Sequence, residues 1–140
     1  MFLELKQIYE KDWDFIRILR NENFEFFYQQ NSPISKDHHF TYMKKQQKNQ
    51  NFHHWFIYAE NDLVGYVRIL DFDVGIIIHK KFQRLGYATK ALELAEIKAK
   101  KLGLTKLVAL IRPENISSKK LFLKNNYKLK INLYEKELFT

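Results

Sequence analysis

The sequence predicts one α/β (α+β) domain spanning residues 1–140, with a central mixed, mostly antiparallel sheet flanked by helices. Two observations carry this. Short β-branched runs with turn residues between them follow one another through residues 52–78, as in a meander of strands. Segments with apolar residues spaced at three and four stand before and after that block, as in amphipathic helices. A chain of 140 residues is long enough for one real core. With 46% apolar residues, including 12 Phe, 8 Tyr and 2 Trp, it is not a disordered chain. No linker or repeat suggests a domain boundary.

Taken in order, residues 2–8 alternate as a first strand. Asp12 suits the N-cap of a helix carrying Trp13, Phe15, Ile16 and Leu19. Arg20-Asn21 reads as an interruption, after which the aromatic segment 24–28 continues in helical spacing. Asn31-Ser32-Pro33 is a turn, and Ser35 caps a further helix containing Phe40, Tyr42 and Met43. Strands are expected at 52–59 and 63–70, joined through Glu60-Asn61-Asp62, and at 74–78 after Asp71-Phe72-Asp73. A long helix follows, with Ala88, Ala91, Leu92, Ala95, Ala99 and Leu102 on one stripe and Gly103 closing it. Residues 106–111 read as a buried strand, Ser117 opens a helix, Asn125-Asn126 ends it, and 127–133 and 134–139 read as two last strands.

Composition excludes several classes. Without cysteine there is no disulfide framework, no thiolate zinc site and no cysteine nucleophile. No window is apolar enough to span a bilayer, and the first residues lack the long apolar region of a signal peptide. A cytoplasmic protein is the default. The net charge of +8 is spread over the chain, which fits a solvated surface or attraction of small polyanions. No helix combines a basic face with stacking aromatics, so neither nucleic acid nor membrane is an expected partner. His38-His39 and His53-His54 lack a third ligand at metal spacing, so no metal site is expected.

The organising stretch is 73–102. An apolar strand leads into Gln83-Arg84-Leu85-Gly86-Tyr87-Ala88 and then into the long helix. This order aims the unpaired N–H groups of a helix's first turn at an anion, and a glycine there lets a phosphate approach the backbone. Neither G-x-x-x-x-G-K-S/T nor G-x-G-x-x-G is present. Instead the loop resembles the Q/R-x-x-G-x-G/A signature of the GNAT superfamily of N-acetyltransferases. The element order resembles the whole GNAT fold. Residues 115–127 resemble that family's N-x-x-A-x-x-x-Y-x-K-x-G-F, with Asn115 and Lys124 matching, Tyr127 standing for the Phe, and Ser118, Phe122 and Asn126 departing.

The resemblance implies a sheet in which the strand before the loop and the strand after the long helix form a splayed parallel pair, with acetyl-CoA (coenzyme A) in the gap. It implies that Gln83, Arg84, Leu85, Gly86, Tyr87, Ala88 and Thr89 hold the pyrophosphate. Ile76, Ile77 and Ile78 would pair with the cofactor's amide-bearing arm, and Asn115, Ser118, Phe122 and Lys124 would complete its seat. Acetyl transfer to an amine needs a base, a donor to the thioester oxygen and a way for the thiolate to leave. The backbone near Ile78 is the implied donor, and Asp73 is the first candidate base, with Asp71 and His79 as alternatives. Phe122 stands where many relatives have a tyrosine acid, so the thiolate leaves unprotonated or another group serves.

Trp13, Arg20, Asn21, Phe24, Phe27 and Tyr28 would line the acceptor wall. Arg20-Asn21, Ile34-Ser35 and Gly65-Tyr66-Val67-Arg68 resemble two GNAT subgroups. One acetylates the 4-amino group of UDP-linked amino sugars; the other, like ribosomal-protein acetyltransferases, modifies protein N-termini. Arg20, Asn21 and Arg68 are accordingly the expected substrate-binding residues for a small-molecule amine, nucleotide-linked in the preferred reading. A monomer or homodimer is expected, and a non-catalytic acyl-CoA-binding module is the rival class.

Overall fold

The computed structural model describes residues 2–24, 30 and 32–139. Four antiparallel strands form one sheet in sequence order: β1 (Leu3–Lys6), β2 (Phe52–Ala59), β3 (Asp62–Leu70) and β4 (Asp73–Ile78). Helices α1 (Trp13–Glu22) and α2 (Lys36–Gln47) precede β2; α3 (Tyr87–Lys101) and α4 (Ile116–Lys124) follow β4. Among the described residues no helix is long and apolar enough to cross a membrane.

Strand alternation sorts the core into two layers. Phe56, Tyr66 and Ile77 lie in register on one face and pack with Trp13, Ile16 and Leu19 of α1 and Met43 of α2. The opposite face carries Ile57, Val64, Val67, Ile69 and Val74, covered by Ala91, Leu92, Ala95 and Ala99 of α3 and by Phe122 of α4. The small alanines of α3 let its axis lie close to the sheet. Fully buried Ile16, Leu19, Ile57, Ile69 and Leu92 each contribute on the order of 1.5–3 kcal/mol by leaving water.

The strands β3 and β4 approach most closely at Gly65, where any Cβ would collide with the Ile77 carbonyl oxygen. Gly65→Ala is therefore expected to force β4 outward. It should lower stability by about 2 kcal/mol, read as a fall in the urea midpoint at constant slope.

Several expectations need correction. Arg20-Asn21 does not break the first helix, which runs on to Glu22. Arg20 is a good helix former, and Asn21 directs its amide outward to the segment at Ile34 rather than back to its own helix. Asn115, not Ser117, caps α4: its side chain accepts from the Ser118 N–H at 3.2 Å. Residues 106–111 form a single parallel bridge, Asp73 with Val108, in place of a full strand. Residues 128–139 are exposed and outside the sheet, although their alternation suits strands. A strand needs a partner edge along its length, and one bridge at Val108 does not supply it. The expected aromatic helix over 24–28 and the turn at 31–33 fall largely outside the described residues.

Candidate active site

A cleft crosses the molecule from the α1–α2 layer to the far edge of β4. Arg20, Tyr42, Tyr66 and Arg68 line one end, and Ile76, residues 109–111, Ser118 and Phe122 line the other. The second half is a gap between diverging segments. Val74 N–H donates to Val108 O at 2.9 Å, and Val108 N–H to Phe72 O at 2.8 Å. Beyond that point, among the described residues, no backbone hydrogen bond joins the two segments, and Ile76 faces residues 109–111 across the cleft.

The phase of the β4 ladder decides which amides face this gap. His79 N–H donates to Val64 O, while Val74 N–H donates the opposite way, to Val108. Antiparallel pairing alternates every residue, so Ile77 turns its amide towards Tyr66 of β3, and Ile76 and Ile78 turn theirs towards the gap. The Ile78 carbonyl accepts from Gln83 Nε2 at 2.9 Å, which ties the following loop to the strand end. The Ile76 amide is left on the parted edge, as is the Ile78 N–H.

Asn115 and Ser118 at the N-terminus of α4 line the gap, and the N-terminus of α3 follows the end of β4 after one loop. The β4–α3 loop passes through Arg84 (φ +65°) and Gly86 (φ +82°), both left-handed. Gly86 occupies the N-cap position of α3 and has no side chain to satisfy the first-turn donors of Tyr87, Ala88 and Thr89. Lys80, Lys81, Gln83, Arg84 and Leu85 are exposed around them. Unsatisfied amides, a glycine and cations together make a seat for a diphosphate, and the parted β4 edge suits an extended amide-bearing arm. The residues present thus fit coenzyme A. Asn115 is used in capping α4, Ser118 and Phe122 line the cleft, and Lys124 lies exposed at the far end of α4.

The predicted catalytic side chains are engaged with the protein. Asp73 Oδ2 accepts from Arg68 Nη2 at 3.1 Å, and Arg68 also donates to the Asp73 carbonyl at 3.0 Å. Both side chains are mostly buried, at 18% and 17% exposed. The guanidinium lies beside Gly75, at ordinary contact distance from where a Cβ would stand. His79 turns to α1: its Nε2 is 3.6 Å from Glu22 Oε2, and its Nδ1 accepts from the Lys81 N–H at 3.1 Å. Both ring nitrogens are therefore occupied in pinning the loop. Asn21 is spent on the backbone at Ile34 and on Gln30.

Three cleft residues are arranged in ways that local spacing does not show. Arg20 is partly buried over the Tyr42 ring at 5.9 Å, with no hydrogen bond or ion pair to a carboxylate among the described residues. Its pKa is lowered, first by loss of water and further by the like charge of Arg68. Tyr66 is buried with its hydroxyl 2.9 Å from His54 Nδ1. Burial raises the phenol and pushes His54 down to about 4, so the imidazole is neutral at ordinary pH. Phe122 packs edge-on against Tyr127 at 4.9 Å, but the Tyr127 hydroxyl donates to Glu96 at 2.9 Å.

An antiparallel sheet whose last strand parts from the segment after a single parallel bridge at Val108 is the frame on which an acyltransferase site is built. The chain belongs to the acetyltransferase (GNAT) family, whose model matches residues 8–127. It is an N-acetyltransferase, and acetyl-CoA is its cofactor. Among solved structures it is similar to the spermidine N-acetyltransferase of Vibrio cholerae in complex with CoA and spermine, with a TM-score of 0.84, 20% identity, and coverage of 99% of this chain and 88% of that one. It is similar also to a domain from Methanocaldococcus jannaschii (TM-score 0.79, 24% identity, 91% and 88% covered). A third is RimL, the ribosomal L7/L12 α-N-protein acetyltransferase, in complex with coenzyme A (TM-score 0.76, 15% identity, 91% and 81% covered). Comparison with curated protein sequences finds no match.

Proposed function

We propose that residues 1–140 act as one cytoplasmic acetyltransferase domain whose acceptor is a small primary amine carrying an anionic group, in the preferred case the 4-amino group of a UDP-linked amino sugar. The observation that carries this is the charge of the acceptor end. Arg20 and Arg68 both line it, against the one carboxylate of Asp73 among the lining residues. A desolvated guanidinium without a counter-charge is costly, and a phosphate or carboxylate of the acceptor offsets that cost. The same excess of positive charge opposes a polycation such as spermine. Tyr42 and Tyr66 add aromatic faces for a base or sugar.

In this reading acetyl-CoA supplies the acyl group as a thioester. Tyr87, Ala88, Thr89 and Gly86 hold its diphosphate through backbone amides, with Gln83, Arg84 and Leu85 shaping the loop. Ile76 aligns the pantetheine-like arm, Ile77 packs beneath it, and the Ile78 N–H faces the developing oxyanion. Ser118, Phe122 and the capped α4 close the far side. In this reading Asp73 sets the direction of Arg68 and His79 fastens the loop, and the proton acceptor is sought elsewhere.

Thiol release from acetyl-CoA over a panel of UDP-4-amino sugars, N-terminal peptides and spermidine tests the proposal. Turnover of the anionic amines at least tenfold above spermidine, by kcat/KM, is expected. Preference for spermidine overturns it, and preference for peptides replaces it with the protein N-terminal reading. A further expectation concerns release of the thiolate. Because Tyr127 is turned to Glu96 and thiols leave well at pKa ~8.5, Phe122→Tyr should change kcat by less than tenfold. A larger gain in the same assay would show that a proton donor is missing there.

A further inference from the structure

Once Asp73 and His79 are engaged elsewhere, the amine's proton needs another destination. Tyr66 and His54 form a part-buried contact of 2.9 Å between Tyr66 Oη and His54 Nδ1, and each residue lines a different cavity. Tyr66 lines the acceptor end of the main cleft. His54 lines a second cavity with Gln7, Gln46 and Gln47. The two residues sit on neighbouring strands, β2 and β3, on the face that meets α1 and α2. The register puts His54 opposite Arg68, two residues from Tyr66, so the pair spans the wall between the two spaces. His54 Nε2 has no protein partner among the described residues and is left to the second cavity.

We propose that Tyr66 is the proton acceptor for the amine and that His54 relays the proton through the sheet to the second cavity. This rests on the acetyltransferase reading given above. As the amine nitrogen bonds to the acyl carbon, its N–H bond breaks and the proton passes to Tyr66 Oη. The Tyr66 O–H proton passes to His54 Nδ1, and the Nε2 proton leaves to water in the second cavity. The carbon–sulfur bond breaks with its electron pair going to sulfur, so charge and atoms balance. Tyr66 ends as a phenol, and His54 ends neutral as the other tautomer, which a ring rotation or proton exchange with water resets.

The resting state this requires is a neutral imidazole whose Nδ1 accepts from the tyrosine. Burial, with the neighbouring His53, keeps His54 neutral, and burial keeps Tyr66 a phenol. The groups that face the pair are His53 from β2, Arg68 from β3, Arg20 from α1 and Tyr42 from α2. The two arginines stabilise negative charge as it grows on Tyr66 Oη. His54 acts through Tyr66 and is a positioning and relay residue, while Tyr66 is the catalytic one.

His54→Asn separates relay from mere support. Asparagine Oδ1 stands about where Nδ1 stood and still accepts from the tyrosine, but it cannot carry a proton. With an amine the wild type accepts, kcat is expected to fall at least roughly thirtyfold, while KM for both substrates stays within about threefold. Tyr66→Phe should fall as far, and the double variant no further. In His54→Ala, added imidazole should enter the enlarged second cavity and restore kcat roughly tenfold or more. Wild-type kcat in His54→Asn, or no rescue by imidazole, overturns the proposal. Nitrogen-15 NMR of the free protein gives a readout without turnover. An unprotonated Nδ1 on His54 supports the relay, and a protonated Nδ1 overturns it. If the wild type turns over no amine on the panel, the functional reading fails instead, and the NMR result still decides the pair.

Discussion

Gly86→Val is expected to raise the dissociation constant for coenzyme A about a hundredfold or more, which corresponds to ~2.7 kcal/mol. Two effects add. Gly86 holds φ +82° at the start of α3, a conformation that costs an L-residue about 1–2 kcal/mol and a β-branched one more. A branched side chain there also stands over the amides of Tyr87, Ala88 and Thr89, where a phosphate must come within hydrogen-bond distance. Gly103 supplies the control. It holds φ +84° with nothing near a would-be Cβ, so Gly103→Ala carries only the backbone cost. It should lower stability by about 1 kcal/mol and leave coenzyme A affinity unchanged. Isothermal titration of both variants checks the contrast, and equal loss of affinity in the two would remove Gly86 from the cofactor seat.

The strand, loop and helix around that glycine were legible because the neighbourhood is local. A β-branched run, a loop with one glycine and an alanine stripe lie within thirty residues, and the structure makes them β4, the loop and α3. The β2–β3 hairpin was legible for the same reason. Its turn uses Glu60 at φ +56° next to Asn61, and Asp71 at φ +58° turns β3 into β4. The C-terminal strands were not so determined. Residues 129, 131 and 133 alternate correctly, but pairing depends on an edge supplied from outside the segment. The Arg20 interruption was misread because a helix boundary was inferred from polarity, whereas Asn21 had a tertiary partner at Ile34.

At the candidate site the sequence foretold the course of the backbone and not the side-chain partners. The splay after Asp73 and the outward amides follow from strand phase, which a short apolar run announces. Side-chain partners do not follow from it. Asp73 looked like a free carboxylate at a strand start, but Arg68 lies across the ladder from Gly75 and reaches it. His54 and Tyr66 are twelve positions apart, and only the hairpin register brings them together. The His53-His54 repeat was a signal of a kind, since strand alternation sends two adjacent histidines to opposite faces.

Arg20→Gln should separate stability from function most sharply. In the free protein Arg20 lies over Tyr42, partly buried, near the like charge of Arg68 and without a carboxylate partner among the described residues. Such a cation is a net cost, so its removal should stabilise the fold by about 1 kcal/mol, seen as a higher denaturant midpoint. The same change removes the counter-charge for an anionic acceptor. Loss of one charged hydrogen-bond partner in a partly dry cleft is worth ~2–3 kcal/mol, so KM for a UDP-linked or carboxylated amine should rise roughly thirty- to a hundredfold. KM for acetyl-CoA should stay the same, because the β4–α3 loop proposed to hold the diphosphate is not among the residues that line the cleft with Arg20. A neutral amine of similar size should be affected less than threefold. A more stable protein that has lost only its anionic acceptors is the signature of a residue held against its own preference by its ligand. If Arg20→Gln instead lowers stability and slows all amines alike, the guanidinium is a structural group of α1, and the charge of the acceptor must be read from Arg68 alone.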